Sequence, residues 1–208
     1  MKVLLTNGSP HENGNTFLAL NEIAKTLQSE NIDSEIVWIG DQPVRGCIAC
    51  AACKSKNDGK CVFDDDVCNT ISAKFADADG FVFGSPVYYG QPNGALLALM
   101  QRAFFSNGAQ VQNKPAAAVA ICRRGGATAA FEALQMPMQM MNMPLVTSQY
   151  WNIAYGREAG QVTADTEGMQ TMRTLAHNMA FMLRAFAAEK SANGLPQREP
   201  WQPMHFIR

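Results

Sequence analysis

Residues 2–16 read KVLLTNGSPHENGNT, and their interpretation decides the fold of the whole chain. Residues 2–6 form a short apolar run of the kind that makes a buried strand. Residues 16–29 place Phe17, Leu20, Ile23, Ala24 and Leu27 on one face of a helix. The loop between them, Gly8 to Thr16, ends with Gly14-Asn15-Thr16 at the start of that helix, where free backbone N–H groups and the helix dipole attract an anion. The loop has no lysine to reach outer phosphates, so it is not a Walker A loop. It also lacks the G-x-G-x-x-G spacing of a dinucleotide turn. What remains is the hydroxyls of Ser9 and Thr16, the amide of Asn15 and backbone N–H groups, a cation-free cradle that suits a terminal monophosphate. An ordinary capped βα turn is the alternative.

The same alternation continues outward to the end of the chain. Strands are expected at 33–38, 80–85, 115–122 and 144–148, and helices at 65–77, 93–106, 127–142 and 166–188. The run Asp64-Asp65-Asp66 would cap the helix at 65–77, and Pro137 should kink or split the one at 127–142. With the first strand and helix this makes five of each. The strands are apolar rather than alternating, which calls for a sheet covered on both faces. The expected fold is therefore α/β, a three-layer sandwich with a five-stranded parallel sheet and helices on both sides, in one domain spanning residues 1–208. Ligands of such sheets bind at the carboxyl ends of the strands, where strand order reverses.

Composition narrows the function. The chain has 208 residues, 47% hydrophobic and only 17% charged, with 17 Lys plus Arg against 18 Asp plus Glu and a net charge of −1. That balance argues against a nucleic-acid or membrane-surface binder, which would carry a basic excess. No apolar run approaches the roughly 18 residues of a membrane span. The N-terminus turns polar at Thr6-Asn7-Gly8 before a signal-peptide core develops, so a cytoplasmic location is expected. The six cysteines then read as ligands, redox thiols or buried hydrophobes rather than disulfides.

Two further loops follow strands of the same sheet. GSPVYYGQPNG, 84–94, has Pro86 and Gly90 to fix a tight path and Tyr88 and Tyr89 to offer flat faces to a planar heterocycle. Arg123-Arg124-Gly125-Gly126 follows the fourth strand, with glycines that permit close backbone approach and arginines able to meet an electron-rich ring or a phosphate. Each alone is turn chemistry. A phosphate cradle and an aromatic slot on one sheet edge are what flavin mononucleotide (FMN) needs.

In GSPHENGNT, GSPVYYG and the Arg-Gly-Gly loop the chain resembles, over nearly its whole length, the flavodoxin-fold NAD(P)H-dependent FMN reductases. The similar branch includes azo- and quinone-reducing flavoproteins and iron–sulfur flavoproteins. The resemblance implies that Ser9, Asn15, Thr16 and Phe17 hold the FMN phosphate. It implies that Pro86, Val87, Tyr88, Tyr89 and Gly90, with Arg123, Arg124, Gly125 and Gly126, contact the isoalloxazine. His11 lies in the phosphate loop, where a binding role and a solvated turn residue are both open. No nucleophilic set stands out, and none is required when the cofactor carries the chemistry.

Cys47, Cys50, Cys53 and Cys61 form C-x2-C-x2-C-x7-C, four thiols within fifteen residues. Such spacing can enclose a [4Fe–4S] cluster or a zinc ion, and it resembles the compact motif of iron–sulfur flavoproteins. A loop of free thiols is the third reading, and spacing does not choose among them. Cys68 and Cys122 read as core residues, and the methionines at 136, 138, 140, 141 and 143 as adaptable packing. The tail from 195 to 208 has three prolines, yet it carries Trp201, Met204, Phe206 and Ile207. That apolar content means that the tail either packs back on its own subunit or crosses to another; on a weakly charged chain the second is expected, in a homodimer or higher homo-oligomer.

The reading in sum is an FMN-dependent oxidoreductase that takes a hydride from NAD(P)H and reduces a small-molecule acceptor: a quinone, azo, nitro or flavin compound. The rival is an electron-transfer protein linking FMN, a cysteine-bound cluster and a ferredoxin-like partner. A non-catalytic flavin-binding protein on the same fold is a third, with no feature in its favour.

Overall fold

A computed structural model describes residues 1–204; His205, Phe206 and Ile207 lie outside the described residues. Six strands and six α-helices are defined among them. They are β1 (Lys2–Asn7), α1 (Asn15–Ser29), β2 (Asp33–Trp38), α2 (Ala52–Lys56), α3 (Cys68–Ala73), β3 (Gly80–Tyr88), β4 (Gln91–Pro92), α4 (Gly94–Asn107), β5 (Ala116–Cys122), α5 (Ala127–Met140), β6 (Ile153–Tyr155) and α6 (Thr166–Asn193), with short 3₁₀ turns at Gly108–Gln110 and Gln161–Ala164.

Five strands pair in parallel in the order β2-β1-β3-β5-β6, and β4 folds back antiparallel on the end of β3. Strand order reverses between β1 and β3, so the crevice at their carboxyl ends is the natural ligand position. The period-2 alternation of side chains divides the core. Leu4, Phe81, Phe83, Ala118 and Ala120 face one side and pack with Phe75, Leu96, Leu99, Phe104 and Phe131. Val3, Leu5, Val82, Ala117 and Val119 face the other and pack with α1 and α6 through Leu20, Ile23, Leu27, Met172, Leu175 and Met179. Both faces are dry, which is why the strand sequences show no polar alternation. On the first side, Phe75 meets Phe81 and Phe104 meets Phe83 edge-on, at 5.4 and 5.7 Å between ring centroids.

Several elements differ from expectation. The strand expected at 144–148 reduces to one bridge, Ala116 to Leu145, and the edge strand forms later at Ile153–Tyr155. Pro144 has no N–H to give. After Val146 donates to the Ala116 carbonyl the chain turns away, returning when Asn152 accepts from Ala120 N–H. α5 is not split by Pro137, which sits in the helix's last turn, so that the helix ends soon after it at Met140. α3 starts later than the 65–77 expected, with Asp66 accepting from Cys68 N–H at 3.0 Å, and ends earlier, at Ala73. The stretch 39–63, for which no element was expected, contains the one-turn helix α2. Of the clustered methionines, Met138 and Met143 are buried while Met136 and Met140 are exposed. No helix among the described residues is long and apolar enough to cross a membrane.

Candidate functional site

The loop after β1 is shaped by hydrogen bonds between its side chains and its own backbone. Asn7, fully buried at the end of the strand, accepts from Ser9 N–H at 3.1 Å and donates to the Glu12 carbonyl at 2.9 Å, bending the chain into a concave turn. Ser9 Oγ accepts from His11 N–H, and Trp38 at the end of β2 donates its indole N–H to the Ser9 carbonyl at 2.8 Å. Gly8 N–H donates to the Gly84 carbonyl at 2.8 Å, so a Cβ at Gly8 would lie 2.8 Å from that oxygen and 2.6 Å from Leu96. Only glycine lets the first loop lie against the second.

α1 begins at Gly14 with no side-chain cap and no acidic residue in its first turn. The N–H groups of Asn15, Thr16 and Phe17 open its N-terminus, a charge-neutral pocket of donors for a dianionic phosphate. Thr16 is buried and His11 exposed beside it. The structure refines one expectation. The Asn15 side-chain amide donates to the Glu158 carbonyl at 2.9 Å and accepts from Val162 N–H at 3.3 Å. It ties the segment after β6 to α1, leaving the backbone N–H of Asn15 for an anion. Ser9, Thr16 and Phe17 stay at the cradle.

The second loop is a two-residue hairpin. β3 runs on through Pro86, Val87 and Tyr88 to pair with β4, Val87 opposite Pro92 and Tyr88 opposite Gln91. Tyr89 and Gly90 make the turn with φ of +51° and +76°. A turn with both central residues left-handed matches the twist of a hairpin, and glycine adopts it freely while tyrosine is strained there. Tyr89 is fully exposed. Ser85 and Asn93 fasten the hairpin base: Ser85 Oγ accepts from Asn93 N–H at 2.8 Å, and the Asn93 side chain donates to the Gly8 carbonyl at 2.7 Å while capping α4 by accepting from Ala95 N–H.

The third loop closes on the second. A Cβ at Gly126 (φ +85°) would sit 2.8 Å from Gly90 Cα and 3.4 Å from Val87. Arg123, Arg124 and Gly125 are exposed beyond it. All three loops expected from the sequence therefore meet at the carboxyl edge of β1, β3 and β5. Tyr155, ending β6, is an addition to that edge; burial raises its phenol, as it does that of Tyr88. Asn7, Trp38, Ser85 and Asn93 escaped the sequence reading because they act on backbone rather than ligand. Asn93 directly before a helix was the one visible signal. With uncapped N–H groups at α1, a glycine-only contact between loops and exposed tyrosines at the crevice, these residues fit FMN.

Cys47, Cys50, Cys53 and Cys61 line one small cavity with Ile48, Val62, Phe63, Arg102 and Phe105. Cys47 and Cys50 are exposed and Cys53 is buried. Among the described residues, no three His, Cys, Asp or Glu side chains converge closely enough to hold a metal ion as they stand. The donor chemistry nonetheless fits a cluster. Ala49 N–H donates to Cys47 Sγ at 3.4 Å and Arg102 Nε–H to Cys61 Sγ at 3.3 Å, the hydrogen bonds that thiolate ligands accept. Ala49 and Ala51 hold left-handed φ of +54° and +56°, reversing the chain between successive cysteines. Cys68 and Cys122 are core residues, as expected; burial pushes the Cys68 thiol up to about 12.

Comparison with known proteins agrees with this geometry. The chain is 33% identical over 192 residues to an iron–sulfur flavoprotein of Methanocaldococcus jannaschii, covering 88% of this chain and 98% of that one. It is 28% identical over 189 residues to an iron–sulfur flavoprotein of Methanosarcina thermophila, covering 88% and 95%. Among solved structures, RosB with a bound formylriboflavin phosphate intermediate superposes with a TM-score of 0.69 at 16% identity, over 100% of this chain and 94% of that one. An archaeal flavodoxin superposes with a TM-score of 0.60 at 15% identity, over 88% and 99%; these two likenesses speak to the fold. The model of the NADPH-dependent FMN reductases matches residues 1–158, from β1 through the end of β6, and with it all three loops of the crevice: the chain belongs to that family and is a flavodoxin-like flavoprotein oxidoreductase.

Proposed function

We propose that this flavoprotein oxidoreductase is of the iron–sulfur type, with FMN in the crevice and a [4Fe–4S] cluster on Cys47, Cys50, Cys53 and Cys61. One observation carries the reading. The four cysteines of the C-x2-C-x2-C-x7-C motif line one cavity, and two of their sulfurs already accept N–H hydrogen bonds. The names of the two archaeal relatives support it. Bound FMN exchanges electrons singly or in pairs and a cluster exchanges them singly, so a chain holding both can join two-electron to one-electron partners.

The residues divide the work. The N–H groups of Asn15, Thr16 and Phe17 and the Thr16 hydroxyl hold the phosphate. The Tyr88–Gly90 hairpin and the Arg123–Gly126 turn flank the ring, and Gly126 against Gly90 fixes the gap between them. Exposed Cys47 and Cys50 put the cysteine loop within reach of a protein partner, for which a small ferredoxin-like carrier is suited.

The description of the matched family favours a second reading, in which NADPH or NADH reduces the flavin and a quinone, azo, nitro or flavin compound oxidises it. One set of measurements separates the two. Anaerobically purified protein should carry iron and sulfide near four each per chain, and Cys50→Ser should abolish both without releasing FMN. Stopped-flow mixing should then show the flavin bleached by a reduced ferredoxin faster than by NADPH or NADH. Stoichiometric zinc or six free thiols would remove the cluster, and rapid bleaching by a nicotinamide nucleotide alone would make the second reading the function.

A further inference from the structure

We propose that Arg102, far from the crevice and outside the cysteine motif, is a positioning residue for the cysteine loop. It holds Cys61 in place and donates a hydrogen bond to its sulfur that sets the reduction potential of the cluster. This rests on the cluster reading above.

Arg102 stands on the apolar face of α4, among Leu96, Leu99, Met100 and Ala103, where a charged side chain has no business unless something repays its burial. It is 1% exposed, and every one of its nitrogens is engaged by a single stretch of chain. Nε donates to Cys61 Sγ at 3.3 Å, Nη2 to the Phe63 carbonyl at 2.8 Å, and Nη1 to the Arg45 carbonyl at 3.2 Å and to the Asp66 carboxylate. The guanidinium therefore grips both ends of the loop that carries the cysteines. Burial works against the Asp66 carboxylate, but the N–H groups of Cys68 and Arg45 and the Arg102 guanidinium outweigh it and keep the carboxyl ionised.

Cys61 is held twice. Asn69, itself buried, accepts from Cys61 N–H at 2.8 Å and donates to the Cys61 carbonyl at 3.0 Å, fixing the backbone while Arg102 fixes the sulfur. Cys47 and Cys50 are free at the surface by contrast. Cys61 is thus the preset member of the four, against which the exposed thiols can close. A donor aimed at a ligand sulfur stabilises the more negative, reduced form of a cluster, and so raises its potential. A planar guanidinium makes this bond and the Asp66 pair together. A lysine ammonium can keep the pair but not the fork.

The test is the midpoint potential of the cluster in anaerobically purified, FMN-loaded protein, for wild type, Arg102→Lys, Asp66→Asn and the double variant Arg102→Gln with Asp66→Asn. Arg102→Lys should bind FMN normally and shift the ratio of reduced to oxidised cluster about tenfold toward oxidised at a given potential, 59 mV for one electron. Asp66→Asn keeps the donor to Cys61 and removes a nearby negative charge, so its potential should hold or rise. A role limited to bracing the loop would move both variants the same way, and that result overturns the proposal, as does an unchanged potential in Arg102→Lys. Should Arg102→Lys retain FMN but lose the cluster, the double variant decides, because it strands no buried carboxylate. A cluster missing from it, with FMN intact, or present at a lowered potential, supports the assignment; a cluster at wild-type content and potential refutes it. Wild-type protein without iron or sulfide would instead overturn the cluster reading itself, and this inference with it.

Discussion

Gly126→Ala tests whether the second and third loops truly abut. Two costs follow from the backbone at that position. Its φ of +85° is one that an L-residue with a Cβ enters at a cost of about 1–2 kcal/mol. The new methyl would also lie 2.8 Å from Gly90 Cα and 3.3 Å from Gly90 N, atoms of a backbone that cannot rotate away as a side chain would. Overpacking of this kind costs typically 1–3 kcal/mol, part of which the loops can relieve by parting. A net loss of about 2–4 kcal/mol corresponds to a fall in Tm of about 5–15 °C for a chain this long. Parting the loops widens the ring slot. The affinity for FMN and for riboflavin should therefore drop together, since both carry the ring; flavin fluorescence quenching reads the two side by side. Gly125→Ala is the stability control one residue away, where an added Cβ meets nothing within 4 Å, and it should melt like wild type. If Gly126→Ala melted like Gly125→Ala and bound both flavins like wild type, the contact between the loops would not exist as described.

Thr16→Ala should act on the opposite end of the ligand: loss of a hydroxyl donor to a charged acceptor, about 1.5–3 kcal/mol, weakens FMN about tenfold or more while riboflavin binding barely changes in the same quenching assay. Cys68, its thiol pushed up to about 12 by burial, should resist iodoacetamide at pH 8 in native apoprotein while Cys47 and Cys50 are alkylated, as peptide mass mapping would show. Asp66 is held below the ordinary carboxylate range in the fold, so it stabilises fully above the unfolded value near about 4 and loses that contribution as pH falls through the lower folded value. Asp66→Asn should accordingly destabilise at pH 7 in urea melts and differ less from wild type the further the pH is taken below about 4. We also propose a homodimer, since Trp201 and Met204 are 82% and 78% exposed in the single chain; deleting residues 196–208 should lower the mass in light scattering, and an unchanged mass would make the tail incidental.

The architecture was legible because its signals are redundant. Three buried strands without polar alternation, β1, β3 and β5, leave few folds but a covered parallel sheet, and the three loops after them then fall on one edge by topology alone. What escaped was the work done on backbone. Asn7, Ser85 and Asn93 read as ordinary turn residues, since nothing in a sequence says which carbonyl a side chain will meet. The strand at 144–148 looked convincing by composition, yet the chain leaves the sheet after the single bridge at Leu145 and pairs again only at Ile153–Tyr155. Asn15 shows the converse: its place at the start of a helix was legible, yet its amide serves the segment after β6, a partner 143 residues away. The cysteine motif was visible at once, but the two residues that fix Cys61, Asn69 and Arg102, are 8 and 41 positions from it and have no motif of their own.

One of those distant partners, Arg102, shares a helix with the crevice. At its start, Asn93 caps α4 and holds the Gly8 carbonyl of the loop after β1; nine residues on, Arg102 holds Cys61 and Asp66. At 1.5 Å per residue the two anchor points are about 14 Å apart along the axis. Between them α4 packs through fully buried Leu96, Leu99 and Met100 against the central strands, so it has little freedom to slide. A rigid strut between two sites makes their separation a property of the core rather than of the loops. A core substitution such as Leu99→Ala, distant from every ligand-facing atom, should therefore loosen flavin binding and the protection of the cysteine loop together, whereas a change within either loop should remain local.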